Sequence, residues 1–325
     1  MHALIHQLAR RFALDDGRTQ RLWALSGLHR RPDALATHLH RGLAVLAALL
    51  LGAGLIFWVA ANWQEQTRAF KLHLLEGAVL ASAGAALLWS RGRTALLLLA
   101  TLALGGLLAF VGQTYQTGAD AWQLFATWAA LALVWALAAR RDAFWAVWLL
   151  ITGLALALWS GDALFSPLQT LLGGRSSRSL LTPVLWVAVF LLPLALPRLR
   201  LLREGAATVP LSWRLAALMA LGAWCAYAVV GLLMRDQLWQ YFFNGLLVLG
   251  AAALAWALRP RDFVVLGLSV LALNVVVVGG FARLLLDGAR GDSAGVTLLL
   301  TLIAAVCVGT SGTWLYRLQR EEGQA

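Results

Sequence analysis

The residues of this chain that could do chemistry gather in one polar stretch, Gly112-Gln113-Thr114-Tyr115-Gln116-Thr117-Gly118-Ala119-Asp120, followed by Trp122, Gln123, Phe125 and Trp128. Amides, a phenol and a carboxylate lie together there, with no Lys or Arg among them. Such groups hydrogen-bond a ligand or a partner backbone, and the aromatic rings add contact area. A second short motif, Ala60-Ala61-Asn62-Trp63, ends the first apolar run. Asn62, Trp63, Gln113, Tyr115, Asp120 and Trp122 are the candidate ligand- or partner-binding residues. Each also has a plainer use. Asn62 can close a helix C-terminus. Trp63, Tyr115 and Trp122 suit an interfacial aromatic belt. Asp120, with Gln123 three residues on, fits a helix capping box.

Titration chemistry has one candidate. Glu76 is the only carboxylate well inside an apolar run, and His73 precedes it by three positions, so both share a helix face. An ionisable residue at membrane depth marks function by default. The pair could also be an interfacial ion pair, with Arg68 or Lys71 nearby. Asn274, in the middle of another run, reads as a helix-packing hydrogen bond. His38 and His40, two apart, face different sides of a helix and form no metal site. Cys225 and Cys307 both sit inside apolar runs, without metal or disulfide spacing. No Ser/His/Asp set, His-Glu-x-x-His or phosphate-binding glycine loop occurs, so no catalytic residue, metal or cofactor is expected.

The elements that must position these residues are membrane helices. Hydrophobic residues make up 61% of the chain and charged ones 13%, and the mean hydropathy is +0.76. Soluble domains are near 45–50% apolar and about 25% charged. The apolar residues form runs long enough to cross a hydrocarbon core, which takes about 20 residues. Spans are expected near 42–61, 70–90, 94–112, 122–139, 143–159, 182–198, 213–234, 240–258, 263–282 and 295–316. The fold class is therefore all-α: a polytopic bundle of about ten transmembrane helices. Residues 1–41 read as a cytosolic amphipathic helical hairpin, with Leu4, Leu8 and Phe12 on one helix and Leu22, Trp23 and Leu25 on the next. Residues 42–159 are the first membrane helices, carrying both motifs, and 160–325 are a second helical half. Cap chemistry appears at Asp142, at Asp262 and at Thr182-Pro183, and Pro193 is placed to kink a helix.

Charge gives the orientation. The net charge is +11, but the Arg residues stand in short clusters between apolar runs, which is topology information rather than a nucleic-acid groove. With the N-terminus inside, 19 of the 26 Lys and Arg residues fall on the inner side and 7 on the outer. That bias puts both termini in the cytosol and the Gln113–Asp120 stretch outside, on the same face as Asn62 and Trp63. A faint repeat runs through the spans. Val111-Gly112, Trp122-Gln123-Leu124-Phe125, Trp135-Ala136-Leu137 and Arg141-Asp142 are matched by Val230-Gly231, Trp239-Gln240-Tyr241-Phe242, Trp256-Ala257-Leu258 and Arg261-Asp262. It reads either as a parallel duplication or as the chance likeness of Ala/Leu/Trp-rich spans.

Gly54…Ala60-Ala61-Asn62-Trp63, followed by Gly112-Gln113-x-Tyr115-x4-Asp120-x3-Leu124-Phe125-x2-Trp128-Ala129, resembles the bacterial predicted-membrane-protein family called domain of unknown function 2157. The resemblance covers about residues 1–165. It implies a bacterial cytoplasmic (inner) membrane protein and no particular reaction. Related genes often lie beside one for a small membrane-anchored extracytoplasmic protein, which implies a periplasmic or membrane-anchored partner on the outer face. Two functions are expected from different classes. One is a non-enzymatic membrane component whose outer polar and aromatic cluster binds a partner or a polar lipid headgroup. The other is a transporter or channel for a small solute or lipid, with His73 and Glu76 titrating. Nucleic acid is not an expected partner; membrane lipid is.

The orientation is checked by thiol labelling in intact cells. Single cysteines at Thr117 and Ser176 are expected to react with an impermeant reagent, and one at Gly205 to stay protected. Labelling at Gly205 alone reverses the topology.

Overall fold

In hydrocarbon each peptide group must find its hydrogen bond within the protein, which leaves helices or closed barrels as spanning structures. The computed structural model describes residues 10–26, 35–62, 66–115, 118, 120–160, 181–202, 210–233, 238–258, 261–288 and 293–322. Among them are eleven helices: α1 Asp16–Ser26, α2 Leu35–Ala61, α3 Arg68–Leu88, α4 Arg93–Tyr115, α5 Ala121–Ala139, α6 Asp142–Ser160, α7 Leu181–Arg198, α8 Leu211–Leu233, α9 Leu238–Ala257, α10 Phe263–Gly288 and α11 Ser293–Glu322. Ten of them, α2 to α11, are long and apolar enough to cross a membrane. The all-α polytopic bundle expected from hydropathy is what the chain forms.

The helices overrun the apolar runs that announce them. α2 starts at Leu35, so the last residues of the 1–41 segment are the head of the first spanning helix, while Leu22, Trp23 and Leu25 fall on α1. α4 continues through Tyr115, and α11 runs to Glu322. Peptide hydrogen bonding does not stop where side chains turn polar, so a helix carries on until a cap or breaker ends it. Leu4 and Leu8 lie outside the described residues. Phe12 is exposed, and α1 begins where the Asp15 carboxylate accepts the Arg18 N–H at 2.7 Å. Thr182 lies in the first turn of α7 rather than at its cap, and Pro183 follows it there, where the missing N–H costs nothing. Pro193 is buried inside the same helix.

Apolar surface gives helices little reason to associate within lipid, so close packing and polar contacts must do it. α8 is the centre. It packs against α6, α7, α9 and α10, and over half of its span is buried. Trp186, Phe190, Trp213 and Trp224 share the core around it, with the Phe190 ring tilted against Trp213 and Trp224. A second cluster joins the two halves through Phe144, Trp145, Leu97, Leu98 and Leu196. A third, of Val59, Leu75 and Phe110, ties α2, α3 and α4 together near Asn62. Indole N–H groups bolt neighbouring helices by bonding main-chain carbonyls: Trp128 to Thr101 at 2.9 Å, Trp148 to Ala129 at 2.8 Å and Trp224 to Pro183 at 3.1 Å. Gly105 makes the first bolt feasible, because a Cβ there would collide with the Trp128 ring. Asn274 accepts from Ser311 Oγ at 3.1 Å, a packing bond between α10 and α11 of the kind expected for it.

The helices alternate in direction, so the bundle has two ends. At the Asp142 end, Asp142 does not cap its own helix. Its carboxylate accepts the Leu211 N–H at 2.5 Å, the Ser212 hydroxyl at 2.5 Å and the Ser212 N–H at 3.3 Å, capping α8 from across the bundle. Asp262 does cap its own helix, accepting the Val264 N–H at 3.0 Å, and also pairs with Arg214 on α8 at 3.0 Å. The two Arg-Asp copies of the repeat thus converge on the first turn of one helix. The triplets they belong to pack differently. α8 lies against both α9 and α10, whereas the main neighbours of α4 are α2, α3 and α5.

Asp142→Ala is expected to lower stability by about 2 kcal/mol, the upper range for a lost helix cap. Asp142→Asn, which keeps one acceptor oxygen, should lose less. Thermal unfolding in detergent measures both; equal losses would mean the charge alone matters.

Candidate functional site

At the Asn62 end, α2 and α4 pack directly, and Val59, Leu75 and Phe110 hold their last turns and α3 together. The two motif-bearing helix ends are therefore neighbours. Asn62 sits just past α2, half-buried, and its amide Nδ2 donates to Trp58 O at 2.8 Å. Its side chain closes the helix, as the plainer reading had it. Trp63 lies outside the described residues.

Gln113 and Tyr115 lie past the span expected near 94–112, yet they are in the last turn of α4. Two residues on a helix are about 200° apart, so they point to different sides. Thr114, between them, is half-buried, and both neighbours flank it outward. Its hydroxyl is enclosed without a hydrogen-bond partner among the described residues. Gln113 is exposed and Tyr115 is 63% exposed. Among the described residues no hydrogen bond joins either to Asn62 or Asp120. Gly118 follows with φ of 65°, a left-handed turn that suits glycine.

Asp120 is the N-cap of α5 and forms the capping box with Gln123, whose side-chain oxygen accepts the Asp120 N–H at 3.2 Å. Trp122 donates its indole N–H to Asp120 Oδ2 at 3.3 Å. Phe125 stands 5.8 Å from Trp128, whose ring lies over α4. The expected cluster thus divides. Asn62, Asp120 and Trp122 are engaged in ending and starting helices, whereas Gln113 and Tyr115 are exposed at the rim and make no side-chain hydrogen bond among the described residues.

His73 Nδ1 lies 3.1 Å from Glu76 Oε2, with the side chains 74% and 44% exposed. They hold each other, on a face of α3 turned out of the bundle. They are five and eight residues into a span that starts at Arg68, about 8 and 12 Å along its axis. Lys71 lies on another face of the helix. It shares the opposite, buried stripe of α3 with Leu75, Ser82 and Ala86, and is only 2% exposed. Sequence reasoning used Lys71 as a topology mark and missed its burial.

The polar contacts at the other end were also missed as a set. Besides Asp142 and Asp262, Arg261 lies 5.5 Å from the Trp256 ring centroid, donates from Nε to Trp256 O at 2.9 Å and pairs with Glu322 at the end of α11. The Arg-Asp repeat was the only hint. Gln240, the counterpart of Gln123 in that repeat, is buried, and its carbonyl accepts from Asn244 Nδ2 at 2.8 Å. Among the described residues no group of three metal-ligating side chains occurs.

The fold is that of a polytopic membrane protein. Residues 6–145 match the model of the family described as predicted membrane protein (DUF2157). The match takes in both motifs and α1 to α5, and it ends within the first turn of α6. No curated protein and no solved structure matches the chain.

The division of labour at the rim is measurable. Asp120→Ala is expected to cost about 1 kcal/mol through the lost cap. Tyr115→Ala and Gln113→Ala should each stay within about 0.5 kcal/mol, as exposed positions do. Equal destabilisation by all three would mean that the rim is scaffold throughout.

Proposed function

We propose that this is a non-enzymatic membrane component whose Asn62 end binds a partner, with Tyr115 and Gln113 as the contact groups. The observation that carries the reading is the exposure of both side chains on a helix end that is otherwise well packed. Tyrosine beside a hydrogen-bonding amide is the composition that binding hot spots favour, since the ring buries area at low entropic cost and keeps a polar handle. A rigid support matters too. The Val59, Leu75 and Phe110 cluster fixes the end of α4, so little ordering is needed on binding.

The partner fits a small membrane-anchored or periplasmic protein, and a polar lipid headgroup is the other ligand such groups could hold. In this reading the membrane is the bacterial inner membrane, both termini are cytosolic and the Asn62 end is extracytoplasmic. The outward pair of His73 and Glu76 belongs to the same picture. A polar pair exposed about 12 Å along a spanning helix is costly in lipid, and a transmembrane segment of the partner lying on α3 relieves that cost. A carrier using the same pair would need it inside the bundle, on a path for its cargo.

The test pairs two measurements on wild type and on the double variant Tyr115→Ala with Gln113→Ala. The expected result is an unchanged detergent melting temperature with loss of the co-purifying partner. A collapse of melting temperature and expression would make the rim scaffold and end the binding reading. Glu76→Gln adds a second arm: it should weaken partner retention several-fold, and abolished solute flux would favour the carrier instead.

A further inference from the structure

A second feature at the same end of the bundle lies in the half beyond the family match. Between the ends of α8, α9 and α10 runs an open groove of about 480 Å³, within the common range for ligand sites of about 300–1,000 Å³. Tyr241, Phe242, Val277 and Phe281 line it, and Arg283 and Asp287 stand at one end. We propose that this groove binds an aminophospholipid, with an acyl chain along the groove, the phosphate on Arg283 and the ammonium group at Asp287.

The polarity of the groove is graded as an amphiphile requires. Val277 lies eleven residues from the end of α10 at Gly288, about 16 Å along the axis, and Arg283 only five, about 8 Å. The apolar wall is therefore at tail depth and the charges are near headgroup depth. The hydroxyl in the wall is spent on the fold, because Tyr241 donates to Val276 O at 3.0 Å. What the wall offers a ligand is hydrocarbon and aromatic surface, which suits a saturated chain.

The charged end offers both signs side by side. Arg283 Nε bonds Asp287 Oδ2 at 2.8 Å, one helical turn apart, with side-chain exposures of 23% and 50%. That bond holds the guanidinium in place and leaves its terminal N–H groups to phosphate oxygens, a match in planar geometry that Lys lacks. The carboxylate keeps acceptor capacity for an ammonium group. A headgroup with one phosphate and one primary amine complements both. An anionic headgroup without the amine would meet Asp287 with the wrong sign.

A transmembrane helix is the rival occupant, and the walls fit it poorly. Helices approach one another over small residues, and here the small residue, Gly280, is covered by the Tyr241 hydroxyl, against which a Cβ would collide.

The experiment is native mass spectrometry of the delipidated full-length protein in mild detergent, titrated with phosphatidylethanolamine or phosphatidylglycerol of equal chain length. Wild type is expected to favour phosphatidylethanolamine by about tenfold. Arg283→Gln should weaken both lipids, phosphatidylethanolamine about tenfold. Asp287→Asn should weaken phosphatidylethanolamine and leave phosphatidylglycerol unchanged or tighter, erasing the preference. Equal retention of phosphatidylethanolamine by wild type and Arg283→Gln, with matching melting temperatures, overturns the site. Should Arg283→Gln fail to fold, the Asp287→Asn arm decides, and an intact preference there overturns the proposal. Tyr115 and Gln113 take no part in this groove, so their double variant keeps the lipid preference whether or not the partner reading holds.

Discussion

The first turn of α8 is where the structure is pinned. A helix N-terminus presents unsatisfied N–H groups and a partial positive charge, and α8 presents them at the base of a central helix. Asp142 answers with a carboxylate from another helix, taking Leu211 N–H, Ser212 N–H and the Ser212 hydroxyl. Bonds to an ionised acceptor are stronger than neutral ones, and this acceptor is 8% exposed. One contact therefore sets α6 parallel to α8 and fixes their relative height. Arg214, two residues along, holds Asp262 and with it α10; Arg261 then holds Glu322 and the end of α11. A relay of charges at one end of the bundle orders helices that lipid alone would not sort.

The opposite end is built differently. Two charged contacts there, among the described residues, are short-range within single helices: His73 with Glu76 and Arg283 with Asp287. Its caps are local too, at Asn62 and Asp120. Apolar packing of Val59, Leu75 and Phe110 joins α2, α3 and α4 there. His73 and Glu76 are turned outward there, whereas Asp142 and Asp262 face inward.

Tryptophan shows how the same residue type divides between these tasks. Indoles in a membrane protein suit the interface, where one edge is wet, and Trp58, Trp89, Trp239, Trp256 and Trp314 are exposed in that manner. Trp128, Trp145, Trp148 and Trp224 instead turn inward and bond carbonyls of neighbouring elements. A buried N–H without a partner is costly in a low-dielectric interior, and each of these four indoles points to an acceptor; Trp186, also fully buried, has no partner for its N–H among the described residues.

Hydropathy and length were enough to find the ten spans, because burial in hydrocarbon demands an unbroken apolar run of known length. The capping box at Asp120 and Gln123 was readable for a similar reason: its partners are three residues apart, and the helix geometry brings them together. The pairing of His73 with Glu76 followed from the same local rule, but its outward direction did not, because a helix face has no inside until its neighbours are in place. Gln113 and Tyr115 fell outside the expected span, since the end of an apolar run marks where lipid contact stops and not where peptide hydrogen bonding does. The roles of Asp142 and Lys71 were decided by tertiary structure alone. Asp142 finds its donors about 70 residues away, and Lys71 is buried because α3 turns that stripe toward α4. Such contacts join residues that no local periodicity links, and they exist only once the helices have chosen their neighbours.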